Sequence, residues 1–137
     1  MLRQMAVLLF SALSIGVVTA DDTTPWQASV TGQIEALHSG EAEVALGFAG
    51  SGFREVYDDP EKFLADVRRS GYGAIVDARS HTFGAFEKTD AGVVLQVVTL
   101  IGEDQRLYEA VYEMIEEEGA GWRVRGVVLR RVPGMGV

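Results

Sequence analysis

Asp77, His81 and Tyr112 are the residues of this sequence whose types and spacing best suit acid–base chemistry. Asp77 and His81 lie four positions apart at the start of a predicted strand, so they share one face and the carboxylate could orient the imidazole. Tyr112 could then donate a hydrogen bond to a substrate oxygen. The alternative is that Asp77 is a surface loop residue and His81 an ordinary strand histidine. Because spacing alone cannot establish hydrogen-bond distances, we favour that alternative and keep the three residues as candidates.

Aromatic side chains make a better case for a ligand pocket. The bulky residues that the predicted facing allows near one cavity are Phe53, Tyr57, Phe63, Tyr72, Tyr112 and Trp122, together with Met114. Ligand pockets are mostly apolar with a few polar groups, which tyrosine hydroxyls can supply. The predicted ligand-binding residues are Tyr57, Tyr72, Tyr112, Met114 and Trp122. Core packing is the alternative for each of them, since buried aromatic and Met side chains most often fill space.

No metal site or cofactor is predicted. The sequence has two histidines, His38 and His81, far apart in the chain, and no cysteine, whereas metal centres usually combine three or four closely arranged ligands. His38 lies at a predicted helix end, where a cation interacts favourably with the carbonyl dipoles. The Gly71-Tyr72-Gly73 segment lacks the rest of a dinucleotide fingerprint.

Three helices are predicted in the first half of the chain. Thr24-Pro25 is a typical helix start, and an apolar stripe beginning at Trp26 continues the helix to Ser39. Asp59-Pro60 repeats the start signal for a helix ending near Gly71. The predicted spans are 24–39, 41–48 and 59–71, with Gly50-Ser51-Gly52 as a helix breaker after the second.

Four strands are predicted in the second half. Their predicted spans are 80–87, 92–101, 105–116 and 122–131, separated by turn residues. The connections are short, which makes neighbouring strands antiparallel. Three helices followed by this meander predict an α+β fold, with the helices packed on one face of a curved four-stranded antiparallel sheet.

The strand at 92–101 is predicted to be apolar on both faces. Only Gln96 is polar on the face that also carries Val94, Val98 and Leu100, and the opposite face is equally apolar. A monomer with one layer of helices needs a single apolar sheet face. We therefore expect a homodimer formed through the sheet, with burial against a different protein as the alternative.

Residues 1 to 20 are typical of a secretory leader. Arg3 precedes an apolar stretch from Met5 to Val18, and Val18-Thr19-Ala20 provides a small-residue cleavage site. The stretch is shorter than the roughly 20 apolar residues that cross a bilayer. We expect cleavage after Ala20, no membrane association afterwards, and a single periplasmic or secreted domain over residues 21–137.

The net charge and the absence of cysteine argue against a nucleic-acid partner and against a lipid anchor. There are 12 Lys and Arg residues against 20 Asp and Glu, a formal net charge of −8. This average field repels polyanions and argues against a nucleic-acid partner. Without cysteine, the chain has neither disulfides nor a lipid-modified anchor.

Three segments carry a resemblance to a known family: Asp59 to Phe63, Tyr112 to Met114, and Gly121 to Val127. With the order of the elements, they resemble the domain of unknown function 4864 family of small exported bacterial proteins, over nearly all of residues 21–137. That family is similar to the nuclear transport factor 2-like superfamily. The resemblance implies a cone in which a bent sheet wraps a long helix, with a pocket between helices and sheet and often a sheet-mediated dimer. Isomerases, dehydratases, cyclases and non-catalytic binders share this scaffold, so it does not select a reaction.

These observations together predict an exported protein that binds a small, partly apolar molecule without turning it over. One alternative is an isomerase- or dehydratase-type enzyme that uses Asp77, His81 and Tyr112. The other is a protein-interaction module that uses the apolar sheet face.

Overall fold

The computed structural model of the protein describes residues 23–133, so the predicted leader lies outside the described residues. The fold is α+β, with four helical segments followed by a four-stranded antiparallel sheet, which confirms the predicted class and sheet. The helical segments are α1 (Trp26–Ser39), α2 (Ala42–Gly47), α3 (Ser51–Val56) and a continuous run of α4 (Pro60–Val67), a π-helical turn (Arg68–Tyr72) and α5 (Gly73–Val76). The strands are β1 (Ser80–Lys88), β2 (Val94–Ile101), β3 (Leu107–Glu117) and β4 (Gly121–Arg131).

Helix α1 is the longest helix among the described residues, and its ends follow from local chemistry. Pro25, with φ −64°, already has a helical backbone when it precedes Trp26. At the other end Gly40 adopts φ 74°, a left-handed conformation that glycine reaches without a steric penalty, and its N–H donates to the carbonyls of the last turn. The helix buries one apolar stripe against the sheet, as predicted.

Helix α3 was not predicted, and the expected total of three helices is therefore too low. It begins inside Gly50-Ser51-Gly52, the segment expected to break a helix, and none of its residues is buried. The Ser51 N–H donates to the Glu117 carboxylate at 2.8 Å, and the Arg54 guanidinium pairs with the same carboxylate at 3.3 Å. A carboxylate from a distant strand thus caps α3, and no local periodicity can show such a contact.

The last helical run begins as expected and ends later than predicted. The Asp59 carboxylate accepts a hydrogen bond from the Glu61 N–H at 3.0 Å, which caps α4. Gly71 has φ 101° and kinks the chain, but the run continues through α5 instead of ending there. Arg68 and Asp77 form a two-pronged ion pair at 3.0 and 3.3 Å that spans the kink.

The sheet is a simple meander with the order β1-β2-β3-β4. Its curvature has two local sources, because Gly84 and Ala85 on β1 together oppose the single Val97 of β2, and Arg125 on β4 is an extra residue relative to β3. Such bulges bend a strand and increase its twist. The free edge of β4 is partly covered by the chain at Ala49, where the Gly50 N–H donates to the Val124 carbonyl at 2.8 Å.

The buried face of the sheet carries Val94, Gln96, Val98 and Leu100 on β2, the set that the sequence predicted to lie together. This inner face packs on α1 and on the last helical run, and it continues across β3 and β4 through Ala110, Tyr112, Met114 and Val124. The opposite face, including Leu95 and Val97, is only partly buried.

Gln96 is a fully buried amide at the centre of the inner face. Its oxygen accepts hydrogen bonds from the Trp26 indole at 2.7 Å and from the Gln27 amide at 3.1 Å. Its nitrogen donates to the carbonyls of Gly84 at 3.0 Å and Val97 at 2.8 Å, and lies 3.3 Å from the carbonyl of Ala85. One side chain therefore joins the start of α1 to the bulge of β1.

The indole of Trp26 is also held by aromatic neighbours. Its ring meets Phe86 of β1 at 5.0 Å and Trp122 of β4 at 5.5 Å, both edge to face. Since β1 and β4 are the two outer strands, these contacts close the curved sheet around the start of α1.

We expect Gln96→Leu to lower the free energy of unfolding by about 2–4 kcal/mol, because it leaves the Trp26 N–H and the carbonyls of the bulge without partners in a buried site. Urea denaturation followed by circular dichroism measures this loss. Gln27→Leu is the control, since Gln27 is only half-buried and donates a single bond into the network. Equal stability of Gln96→Leu and the original protein would contradict the importance of this network.

Candidate functional site

An apolar cavity of about 160 Å³ lies between the helices and the inner face of the sheet. Its apolar lining comes from α1, α3, the last helical run and β4, and includes Leu37, Phe53, Phe63, Val67, Ile75 and Val124. Its polar lining consists of Gln33, Tyr72 and Tyr112. None of the described residues that line it carries a formal charge.

Tyr112 places a hydroxyl at this cavity from the middle of β3. It lies opposite Gln96 of β2 and Val127 of β4 and is only 1% exposed. Burial raises the pKa of the Tyr112 phenol well above its usual range, so the group stays protonated and neutral at physiological pH. Burial is the single cause of this raised pKa, with no hydrogen bond contributing. The hydroxyl oxygen is not completely enclosed, because the one fully buried side-chain polar atom without a partner within residues 23–133 is Arg123 Nε.

Gln33 and Tyr72 complete the polar lining, and both are partly engaged by the fold. The Tyr72 hydroxyl donates to the Val127 carbonyl at 2.9 Å, which ties the π-helical turn to β4. The Gln33 amide nitrogen donates to the Ala45 carbonyl at 3.1 Å, which ties α1 to α2. No group in residues 23–133 donates to the Gln33 amide oxygen, so an acceptor is left available at the cavity.

Two of the five predicted ligand-binding residues, Tyr72 and Tyr112, meet at the cavity, and the other three do not line it. The Tyr57 hydroxyl donates to Asp66 at 2.7 Å, outside the cavity. Met114 is fully buried and packs in the core. Trp122 packs against Trp26 at the closed end of the sheet. Met114 and Trp122 therefore fit the alternative considered for these residues, which is that they pack in the core.

The candidate acid–base group Asp77, His81 and Tyr112 is not assembled. Asp77 is paired with Arg68, and His81 Nε2 lies 2.9 Å from Thr31 Oγ1. His81 lies opposite Leu100 of β2, whereas Tyr112 lies opposite Gln96, so His81 and Tyr112 differ by two strands and four residues of register. With usual strand spacings their Cα atoms are roughly 16 Å apart. Proton transfer needs hydrogen-bond distances, which this separation prevents.

His38 lies in the last turn of α1, as expected, but its Nδ1 lies 3.1 Å from the Val76 carbonyl of α5. The histidine therefore joins two helices. No group of three or more His, Cys, Asp or Glu side chains suited to a metal ion occurs within residues 23–133. In the same range, no helix is long and apolar enough to span a membrane.

Gln33 lines the cavity but is not among the predicted ligand-binding residues. Trp26, Val30, Gln33 and Leu37 follow one another at helical spacings of four, three and four and are all buried on α1. A polar residue within an otherwise apolar helical stripe is the signal that identifies Gln33.

Phe53 lies between the cavity and a neighbouring surface groove. It lines the cavity and also a surface groove of about 540 Å³ that includes Val56, Tyr57 and Ile115. Its ring packs edge to face on Phe63 at 6.2 Å, and the residue is 37% exposed. Among the lining residues of the two spaces, Phe53 is the one that they share.

The chain matches the model of a protein family, Domain of unknown function (DUF4864), over residues 19–137. The chain belongs to this family. The match confirms the family inferred from the sequence, and it covers all of the described residues, so the cavity lies within the DUF4864 domain. Comparison with curated proteins found no match.

We expect Tyr112→Phe to leave the free energy of unfolding unchanged or slightly higher, because the hydroxyl is desolvated and has no protein partner. Tyr72→Phe removes the same atom from the same cavity but breaks the bond to the Val127 carbonyl, so it is expected to cost about 1 kcal/mol. Urea denaturation of the two variants in parallel measures the difference. A loss for Tyr112→Phe as large as that for Tyr72→Phe would show that the Tyr112 hydroxyl has a structural partner.

Proposed function

We propose that this DUF4864 protein binds a small, partly apolar molecule in the cavity between its helices and sheet, without turning it over. The observation that carries this proposal is the Tyr112 hydroxyl, which is buried at an apolar cavity and has no protein partner within residues 23–133. A hydroxyl that has no partner within the fold and belongs to a residue lining an apolar cavity needs a hydrogen-bond partner from solvent or from a bound molecule. A ligand hydrogen-bonded to Tyr112 supplies one.

Binding is better supported than catalysis. Among the lining residues, the titratable side chains are the tyrosines Tyr72 and Tyr112, and a phenol with a raised pKa does not act as a base near neutral pH. Asp77 and His81, the groups expected to move protons in an isomerase or dehydratase, each have partners elsewhere. The cavity therefore favours recognition of a molecule over its conversion.

We also propose that the fold belongs to the nuclear transport factor 2-like superfamily and that the protein is exported to the periplasm or secreted. The long α1, the sheet curved around it by two bulges, and the cavity between them support the superfamily proposal. The leader pattern in residues 1 to 20 supports export.

The partly exposed face of the sheet favours a homodimer. Val97, Val111 and Val128 form one row across β2, β3 and β4, and Val128 is 69% exposed. Two ion pairs flank this row, Glu109 with Arg130 at 2.9 Å and Glu113 with Arg125 at 3.0 Å. A twofold axis through this face would bring the apolar row of one copy against the apolar row of the other, with the ion pairs at the border of the contact. A different protein on this face is the alternative occupant.

Native mass spectrometry of the protein purified from its natural host, without denaturation, tests the ligand proposal. We expect a reproducible added mass of one small molecule, which Val67→Phe abolishes because a larger side chain fills the cavity. Val56→Phe is the matched control, since Val56 lines only the outer groove and is 75% exposed. An adduct that survives Val67→Phe, in a variant that remains folded, would place the ligand elsewhere.

Sedimentation velocity tests the dimer. Val128→Glu is expected to shift the protein from dimer to monomer, because it places a charge at the most exposed position of the apolar row. Val56→Glu introduces the same charge at an equally exposed valine of α3 and is expected to leave the dimer intact. If the original protein sediments as a monomer, the sheet-mediated dimer is wrong.

A further inference from the structure

The size of the cavity limits its occupant to about one ring. The volume is about 160 Å³, and apolar cavities of about 150 Å³ in proteins admit benzene. A six-membered ring with one or two small substituents matches this volume, whereas a fused ring system or a long acyl chain would extend beyond it.

The uncharged lining also favours an uncharged occupant. The apolar walls and the uncharged Gln33, Tyr72 and Tyr112 offer no counter-ion to a carboxylate or an ammonium group. Burying an unpaired charge costs far more free energy than one hydrogen bond returns. The occupant is accordingly neutral.

The two available polar groups have complementary hydrogen-bonding abilities. The Gln33 amide is oriented by its nitrogen, which donates to the Ala45 carbonyl, so its oxygen can only accept. The Tyr112 hydroxyl can donate or accept. A ligand hydroxyl has both abilities that these groups call for, because it can donate to an amide oxygen and accept from a phenol. A hydrocarbon satisfies neither, and a ketone or aldehyde leaves the Gln33 oxygen without a donor.

From this size, neutrality and polar pair, we infer that the cavity takes a small neutral hydroxy compound with a single ring, such as a phenol or a cyclic alcohol. This inference rests on the ligand-binding function proposed above. Gln33 and Tyr112 are the specificity-determining residues, and the apolar walls hold the ring.

Calorimetric titration of the purified protein with phenol, toluene, benzaldehyde and benzoate tests the inference. Toluene has nearly the shape of phenol but has a methyl group in place of the hydroxyl. We expect phenol to bind at least about tenfold more tightly than toluene, because toluene leaves two buried polar groups of the site unpaired. Benzaldehyde is expected to bind more weakly than phenol, and benzoate more weakly still because of its charge.

Tyr112→Phe separates the hydroxyl's role from that of the ring. This variant is expected to weaken phenol binding about fivefold and to leave toluene binding unchanged, since it removes one hydrogen bond and no wall of the cavity. Tyr108→Phe is the matched control, because that hydroxyl donates to Asp104 at 2.9 Å, away from the cavity. Neither compound is expected to respond to Tyr108→Phe.

The outcomes separate this inference from the function on which it rests. Equal binding of phenol and toluene, with no effect of Tyr112→Phe, overturns the ligand class and leaves the cavity as a binding site. Tightest binding of benzaldehyde or benzoate overturns the class in the same way. If none of the four compounds binds although the native protein carries an adduct that Val67→Phe abolishes, the class alone is wrong. If there is neither binding nor an adduct, the proposed function itself fails.

Discussion

The side-chain amide of Gln96 is the contact on which the arrangement of helix, sheet and cavity depends. It sets the start of α1 against the inner face and holds the bulge that curves β1 towards the helix. Gln96 and Tyr112 face each other in the same row of the sheet, but their polar groups differ. Every polar atom of the Gln96 amide is bonded, whereas the Tyr112 hydroxyl has no protein partner in the described range. One row thus contains a fully bonded amide beside a hydroxyl without a protein partner.

The elements that could be predicted from the sequence are those whose own residues show an amphipathic periodicity. The stripe from Trp26 to Leu37 predicts α1, and alternating burial along β2 and β3 predicts the meander, because amphipathic periodicity records which side meets the core. Helix α3 has no buried residue and depends on Glu117, more than sixty positions away. A contact of that range leaves no local signature, so three helices were expected where four helical segments exist.

The candidate site could be predicted in part for the same reason. Strand alternation on β3 predicts the facing of Tyr112, which lines the cavity together with Tyr72. The four-residue spacing of Asp77 and His81 gives no information about their partners Arg68 and Thr31, which come from other elements. The register of the sheet keeps His81 and Tyr112 apart, since two strands and four residues separate them.

The weak attachment of α3 has a kinetic consequence. Elements with few buried apolar contacts open locally at a small cost compared with global unfolding. Phe53 of α3 lines both the cavity and the outer groove, so local opening of this six-residue helix would join the two spaces while the sheet and α1 stay in place. The contacts of Ser51 and Arg54 with Glu117 oppose this opening. Access to the cavity and the composition of its walls therefore depend on different residues.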